Sequence, residues 1–187
     1  MNTSLRHYAV TTLAIASLTA SLPALAQLDR PKSAVSVTAK QMGAPLNGKF
    51  KKFDASIKFD PAHLEQASVQ VTIDTASLDL GGEAYSEELH GKDWFDVATY
   101  PRATFEASSV KAGGAGKYDV AGKLTIKGHS QSVVVAVAFK ETGSTQIFDG
   151  ELSIKRTQFN VGAGKWKDTS VVADEVVINF HLVVSKR

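Results

Sequence analysis

Tyr118-Asp119-Val120-Ala121-Gly122-Lys123-Leu124-Thr125-Ile126-Lys127 sets the rhythm of this chain. On an extended backbone successive side chains point to opposite faces, so Tyr118, Val120, Leu124 and Ile126 share one side. Asp119, Ala121, Lys123, Thr125 and Lys127 take the other. A period of two with apolar residues on one face is the signature of a strand half-buried against a core.

Working outward, the same rhythm recurs. Downstream, residues 133–139 are apolar on both faces, Leu152 and Ile154 lie in another strand, and Arg156 continues their face. The last run sets Val176, Ile178, Phe180, Leu182 and Val184 against Val177, Asn179, His181 and Val183. Upstream, Ala103, Phe105 and Ala107 share a face, as do Val69, Val71 and Ile73, then Phe53, Ala55, Ile57 and Phe59, then Val35, Val37 and Ala39. Turn chemistry separates these runs: the break at 43–48, Asp60-Pro61, Gly113-Gly114-Ala115-Gly116, and 128–131. About eight strands at regular spacing predict an all-β fold, an antiparallel barrel or a sandwich, which alternation alone does not separate. An eight-stranded barrel has room for packed side chains or one slender ligand.

One segment breaks the rhythm. Residues 75–100 lose the alternation, Gly81-Gly82 permits a sharp redirection, and 83–89 is mildly helical by propensity. Within 89–105, Trp94, Phe95, Tyr100 and Phe105 bring four rings beside Asp93, Asp96, Pro101 and Arg102. Long irregular connections in a β protein usually carry a role, so this one is expected to close one end of the structure.

The N-terminus reads as an export signal. Arg6 and His7 precede an apolar stretch over 8–22, and Ala24-Leu25-Ala26 is the small-x-small pattern of a cleavage site, placing the cut before Gln27. The expected organisation is a signal peptide, 1–26, and one domain, 27–187, delivered to the periplasm. The stretch is too short and too interrupted by Ser and Thr for a spanning helix. With 21 Lys+Arg against 19 Asp+Glu, the chain gives no reason to expect nucleic acid. The absence of Cys removes disulfides and thiolate-ligated metals.

Four blocks carry a resemblance: residues 47–53 (Asn-Gly-Lys-Phe-Lys-Lys-Phe), 71–77 (Val-Thr-Ile-Asp-Thr-Ala-Ser), 93–105 (Asp-Trp-Phe-Asp-Val-Ala-Thr-Tyr-Pro-Arg-Ala-Thr-Phe) and 120–128 (Val-Ala-Gly-Lys-Leu-Thr-Ile-Lys-Gly). In this order the chain resembles the YceI-like family over almost all of its length after the signal. The resemblance implies an exported, lipocalin-like barrel of eight antiparallel strands, with a short helical region near one end, holding a polyisoprenoid or another long-chain lipid. It also implies frequent homodimers, and the tail over 161–176 looks like a subgroup whose relatives are fused or adjacent to b-type cytochromes. Lys32-Ser33 stands where the family often has His-Ser, and Glu87-Glu88 where it often has Arg-Asp.

The candidate site residues follow from both lines. Cavity or lid candidates are Trp94, Phe95, Tyr100, Phe105, Phe139, Ile154, Trp166 and Phe180, which either line a pocket or fill the core. Head-group candidates are Arg156, Lys49 and Lys52. An inward Arg needs a partner: either an ion pair or a ring of Trp94 or Trp166, or the phosphate of a lipid. The lysines, with Lys51, Lys165 and Lys167, are either a solvated face or a basic rim.

No HExxH or other metal-ligand spacing involves His63, His90, His129 or His181, and there is no GxSxG elbow. Glu83, Glu87, Glu88, His90 and Asp93 read as a solvated helix face rather than a cation site. The expectation is therefore a binding protein for a long-chain isoprenoid, without catalytic residues, metal or resident cofactor. A quinone-binding accessory of a b-type cytochrome, a stress-induced protein and an enzyme acting on a hydrophobic substrate are the competing expectations, and the partners considered besides the lipid are a b-type cytochrome and a membrane lipid donor. The apolar faces of 133–139 and 176–184 point to self-association.

Overall fold

The alternating runs pair into a single antiparallel sheet that curls on itself. The computed structural model describes residues 26–186, and the expected signal peptide lies outside these apart from Ala26. In chain order the strands are β1 (Gln27–Leu28), β2 (Ala34–Gln41), β3 (Ala44–Phe50), β4 (Phe53–Lys58), β5 (Ser68–Asp74) and β6 (Leu78–Asp79). After the helix α1 (Glu83–His90) come β7 (Arg102–Gly114), β8 (Lys117–Ile126), β9 (His129–Thr142), β10 (Thr145–Lys155) and β11 (Glu175–Ser185). The order across the sheet is β4-β5-β7-β8-β9-β10-β11-β2-β3-β6, with β1 on β11.

The two ends of that order are joined by the chain itself. Strand β3 pairs with β2 and, after a corner at Lys51-Lys52, its continuation β4 pairs with β5. The corner keeps its backbone bonds by borrowing from the turn that follows β5. Lys51 N donates to Ser77 O (3.0 Å), Lys52 N to Ser77 Oγ (3.0 Å), and Lys52 O accepts from Asp74 N (3.0 Å). Farther along, Ala26 bridges Ile57 of β4 while Leu28 pairs with Val184 of β11, so the first described residues stitch the remaining gap. Counted with β3 and β4 as one bent strand, the barrel has the eight long strands that the sequence rhythm predicts; eleven appear because of this corner and the two-residue strands β1 and β6.

Two boundaries differ from the sequence expectation. Of residues 43–48 only Gly43 belongs to a turn, and the rest make up most of β3. The reversal is a two-residue turn at Met42-Gly43, both with positive φ (50° and 79°), and Gly48 sits inside the strand. A Cβ at Gly48 would lie 2.4 Å from Leu80 Cδ2, so this glycine makes room for a neighbouring side chain rather than for a turn. Likewise the turn expected over 128–131 is only Lys127-Gly128 (φ 49° and 75°), and β9 starts at His129. Both are the short turns whose twist suits a hairpin.

The inward faces are the predicted ones. Pairing of β10 with β11 runs without a slip from Thr145↔Ser185 to Lys155↔Glu175. Val35, Ile57, Val120, Val135, Val137, Leu182 and Val184 are buried in one cluster. At one end of the barrel, Phe59 is ringed by Tyr118 (centroids 4.9 Å apart), Phe139 (4.8 Å) and Phe148 (5.5 Å). At the other, Leu89 at the end of α1 packs with Val37 and Leu78, and Trp94 and Phe95 lean on the same group.

The apolar outer strips of β9 and β11 do not join. Strand β10 lies between them and turns Asp149 and Glu151 to solvent, opposite Ala138 and Ala136 on one side and His181 and Asn179 on the other. Val183, outward on β11, is buried because the 29–33 segment crosses it, with Asp29 N donating to Val183 O (2.7 Å) and Val183 N to Ser33 Oγ (2.9 Å).

Candidate ligand-binding cavity

Inside the barrel the side chains do not meet at the axis. They leave a cavity of about 210 Å³ whose wall is aliphatic and aromatic apart from Thr104, Tyr118 and Arg156. An apolar cavity of about 150 Å³ already stays dry and accepts a small aromatic guest, so this one has room for part of a hydrocarbon chain. Two strand glycines shape it by letting neighbouring phenyl rings lie across them. A Cβ at Gly150 would fall 2.3 Å from Phe180 Cζ, and one at Gly122 2.6 Å from Phe105 Cζ.

A second chamber of about 120 Å³ lies under α1. It shares Val37, Phe50, Phe95, Arg156, Val161 and Val176 with the main cavity, so the two are adjoining parts of one interior. Its remaining wall includes Tyr85, Glu88, Leu89, Trp94, Trp166 and Gln41.

The candidates separate accordingly. Phe95, Phe105, Ile154 and Phe180 line the main cavity, and Trp94 and Trp166 line the second chamber, which Phe95 also touches. Phe139 lies outside both, tilted against Phe59 and Phe148 in the aromatic cluster at the far end. Tyr100 also lines neither; it is 36% exposed and lies against Gly128, where a Cβ would meet its Cε1 at 2.8 Å. Lys49 and Lys52 are exposed and border neither chamber; they belong to the outer side of the β3–β4 corner.

Arg156 does point inward, as the alternation requires, and is 2% exposed. Its partners are neither a carboxylate nor open space. Nε donates to Ala173 O (3.1 Å), Nη1 to Val161 O (3.0 Å) and Gly162 O (2.8 Å), and Nη2 to Trp166 O (2.8 Å) and Val172 O (2.7 Å). A guanidinium has five N–H donors, and here five backbone carbonyls take them. The Trp94 ring lies 5.8 Å from its carbon. As a head-group anchor Arg156 therefore has no N–H left over; the loop over 156–174 folds around it. Burial pulls its pKa down and Asp174 pushes it back up, but a guanidinium stays charged regardless.

Lys127 plays the matching part on the other side, and the alternation hides it. As the last residue of its run it belongs to the polar face with Lys123 and Thr125. The left-handed backbone of the turn redirects it, leaving it 6% exposed, with Nζ on Lys92 O (2.6 Å) and Asn160 O (2.8 Å). Desolvation lowers its pKa, with Asp96 and Asp93 opposing. The signal that could have located it is the Lys-Gly pair itself, since a two-residue hairpin turn places a side chain off the strand pattern. Thr75, 1% exposed, completes the loop end by donating its hydroxyl to Tyr100 O (3.0 Å).

The outer rim of the second chamber is a latch. Trp166 Nε1 donates to Glu88 Oε1 (2.6 Å), and Lys165 Nζ is 3.3 Å from the same oxygen. The Trp166 N–H is the main cause that holds the Glu88 carboxyl below its ordinary pKa; desolvation opposes it and Lys165 assists. The expected acidic face is thus partly engaged, with His90 Nε2 within 3.1 Å of Ala76 O as well. Among the described residues no group of three His, Cys, Asp or Glu side chains is set to hold a metal.

Comparison with known proteins agrees with this architecture. The crystal structure of Burkholderia cenocepacia BcnA superposes with a TM-score of 0.82 at 57% identity, covering 84% of this chain and 99% of that one. A Campylobacter jejuni YceI protein superposes at 0.69 with 21% identity over 98% of this chain and 99% of its own. A polyisoprenoid binding domain from Saccharophagus degradans gives 0.73 at 17% identity over 89% and 100%; at such identities the fold is what is shared. A UPF0312 protein of Ectopseudomonas mendocina is 34% identical over 62% of this chain and 64% of its own length, and one of Vibrio cholerae is 34% identical over 52% of each. The chain thus spans about half to two thirds of these curated relatives. The family model of the YceI-like domain matches residues 27–184, almost the whole of the barrel, and the chain belongs to that family.

Proposed function

We propose that this protein is an exported carrier or binding protein that holds the chain of a long isoprenoid, or a similar lipid, inside its barrel. The observation that carries the reading is the cavity wall: about 210 Å³ bounded mostly by Val, Ile, Leu, Phe and Ala side chains, with Arg156 bonded back to the main chain, continuing into a second chamber. Such a wall discriminates by hydrophobicity and width rather than by hydrogen bonds. Burying a methylene group is worth about 0.8 kcal/mol, so one five-carbon isoprene unit contributes roughly 3–4 kcal/mol before the costs of association. The name of the Saccharophagus degradans relative points the same way. The apparent leader supports the periplasm as the site of action. The reading is of binding, with no catalytic residues and no resident cofactor.

The direct test is to purify the protein under native conditions, extract it with organic solvent and identify the lipid by mass spectrometry. A co-purifying isoprenoid in near-stoichiometric amount is the expected result. Protein that emerges empty and takes up no prenyl chain in a fluorescence-displacement assay overturns the reading. A quinone in the extract would favour the respiratory role implied by the tail over 161–176.

A further inference from the structure

The second chamber holds a polar feature that the apolar reading does not use. Among the described residues, the Trp94 indole nitrogen is the only buried side-chain N or O without a hydrogen-bond partner. Trp94 is part of the wall of that chamber, beside Glu88 and Trp166. Its N–H is the least of the influences that lower the Glu88 carboxyl pKa, but the two do not reach hydrogen-bond geometry; Glu88 Oε1 is turned to the Trp166 indole at 2.6 Å. A buried donor left without an acceptor is costly, and where one persists it calls for a partner that arrives from elsewhere.

The charges around it select what that partner can be. The cation closest to the interior, Arg156, has its five N–H groups on five carbonyls, and Lys127 is bonded to two more. Neither can turn to an incoming phosphate without breaking the loop end apart. Glu88 brings a negative charge to the mouth of the same chamber, where its side chain is 41% exposed and paired with Lys165. The lysine at the rim, Lys165, is already paired with Glu88 (3.3 Å), so an anion entering beside that carboxylate finds no free cation and is disfavoured. A neutral oxygen is not, and a hydroxyl suits both neighbours, accepting from Trp94 and offering its own proton to Glu88.

We infer that the second chamber is the head-group subsite, and that the Trp94 indole N–H binds a neutral acceptor oxygen, a hydroxyl for preference, at the end of the chain held in the barrel. This rests on the lipid-binding reading and adds to it the class of head group: neutral, not phosphorylated. Trp94 is the residue that sets the preference, and Glu88 excludes the anion.

Three probes with one fifteen-carbon tail separate the terms: farnesol, farnesyl phosphate and the headless farnesene. The wild-type protein should bind farnesol roughly 3- to 10-fold more tightly than farnesene, the size of one net hydrogen bond, and farnesyl phosphate more weakly than farnesol. Trp94→Phe should bring farnesol down to the farnesene level and leave farnesene nearly unchanged. Glu88→Gln, which keeps an acceptor for Trp166, should strengthen farnesyl phosphate binding selectively. Should Trp94→Phe not fold, the wild-type protein still gives the answer. The chain has two tryptophans, so its indole N–H signals are two peaks, and farnesol but not farnesene should shift the Trp94 peak downfield. Equal binding of farnesol and farnesene, an unmoved Trp94 signal, or a preference for the phosphate would overturn the subsite while leaving the barrel reading intact. Failure of farnesene itself to bind would overturn both.

Discussion

The two ends of the barrel are closed by opposite means. At one end, four rings carried on or beside regular strands, Phe59, Tyr118, Phe139 and Phe148, fill the mouth by edge-on and tilted packing. At the other, irregular loops over 89–101 and 156–174 cover the mouth, and irregular backbone brings carbonyls that no ladder satisfies. Two buried cations answer that need, Arg156 with five carbonyls and Lys127 with two. The ring-closed end has only the short 59–67 connection to serve, where buried Gln146 Nε2 donates to Phe59 O (3.2 Å), whereas the longer loops need more donors. The chamber, the latch and the unpartnered indole all sit at the donor-held end, which makes it the side where a ligand's head is read.

The sharpest way to break this contrast is to remove one closure at a time. Arg156→Met should cost on the order of 4 kcal/mol or more, because five buried carbonyls lose their donor at once; urea denaturation measures it, and hydrogen exchange should show the loss concentrated over 156–174. Phe59→Ala should cost about 3–5 kcal/mol as a core cavity mutation, with exchange rising at the ring-closed end instead. If both variants loosened the same end, the division of labour would be wrong.

Smaller changes sharpen it. Gly150→Ala puts a methyl group into Phe180 Cζ and close to Ala136 O; about 1–3 kcal/mol of overpacking is expected, with weaker uptake of a prenyl chain, and Gly150→Ala with Phe180→Leu should recover much of both. Lys127→Met should cost about 1–3 kcal/mol by orphaning Lys92 O and Asn160 O, again visible only at the loop end. The least effect belongs to the latch. Glu88 has a folded pKa below its unfolded value, so its contribution is complete above the ordinary Glu range and is lost as pH falls through the folded pKa. Tryptophan fluorescence of the wild type should change there in acid, and Glu88→Gln should abolish that transition.

Much of the barrel is legible from residues alone. The run over 176–184 announces which side is inward, and β11 places Val176, Ile178, Phe180 and Leu182 on the cavity as read. Strand β3 is not legible, because Gly43 and Gly48 look alike in sequence while one makes a turn and the other makes space. Arg156 shows the same limit at the site. Period two gives its direction, but its partners are main-chain carbonyls of residues 161–173, and a carbonyl without a ladder leaves no mark on the choice of side chain. Tyr100 and Phe139 look like cavity rings in sequence; strand ends and turn geometry, not ring type, decide that they pack outside it.

The seam has a consequence for how the molecule is made. Strand β2 pairs with β11, and β1 lies on the far end of that same strand, so the first and last strands of the domain are neighbours. A chain emerging from its N-terminus cannot seat residues 34–38 until residues 177–181 have appeared. Until then β2 has only its hairpin partner β3, and the cavity lacks a wall. Such long-range closure is slow and leaves strand edges open meanwhile. The barrel is finished last where it began.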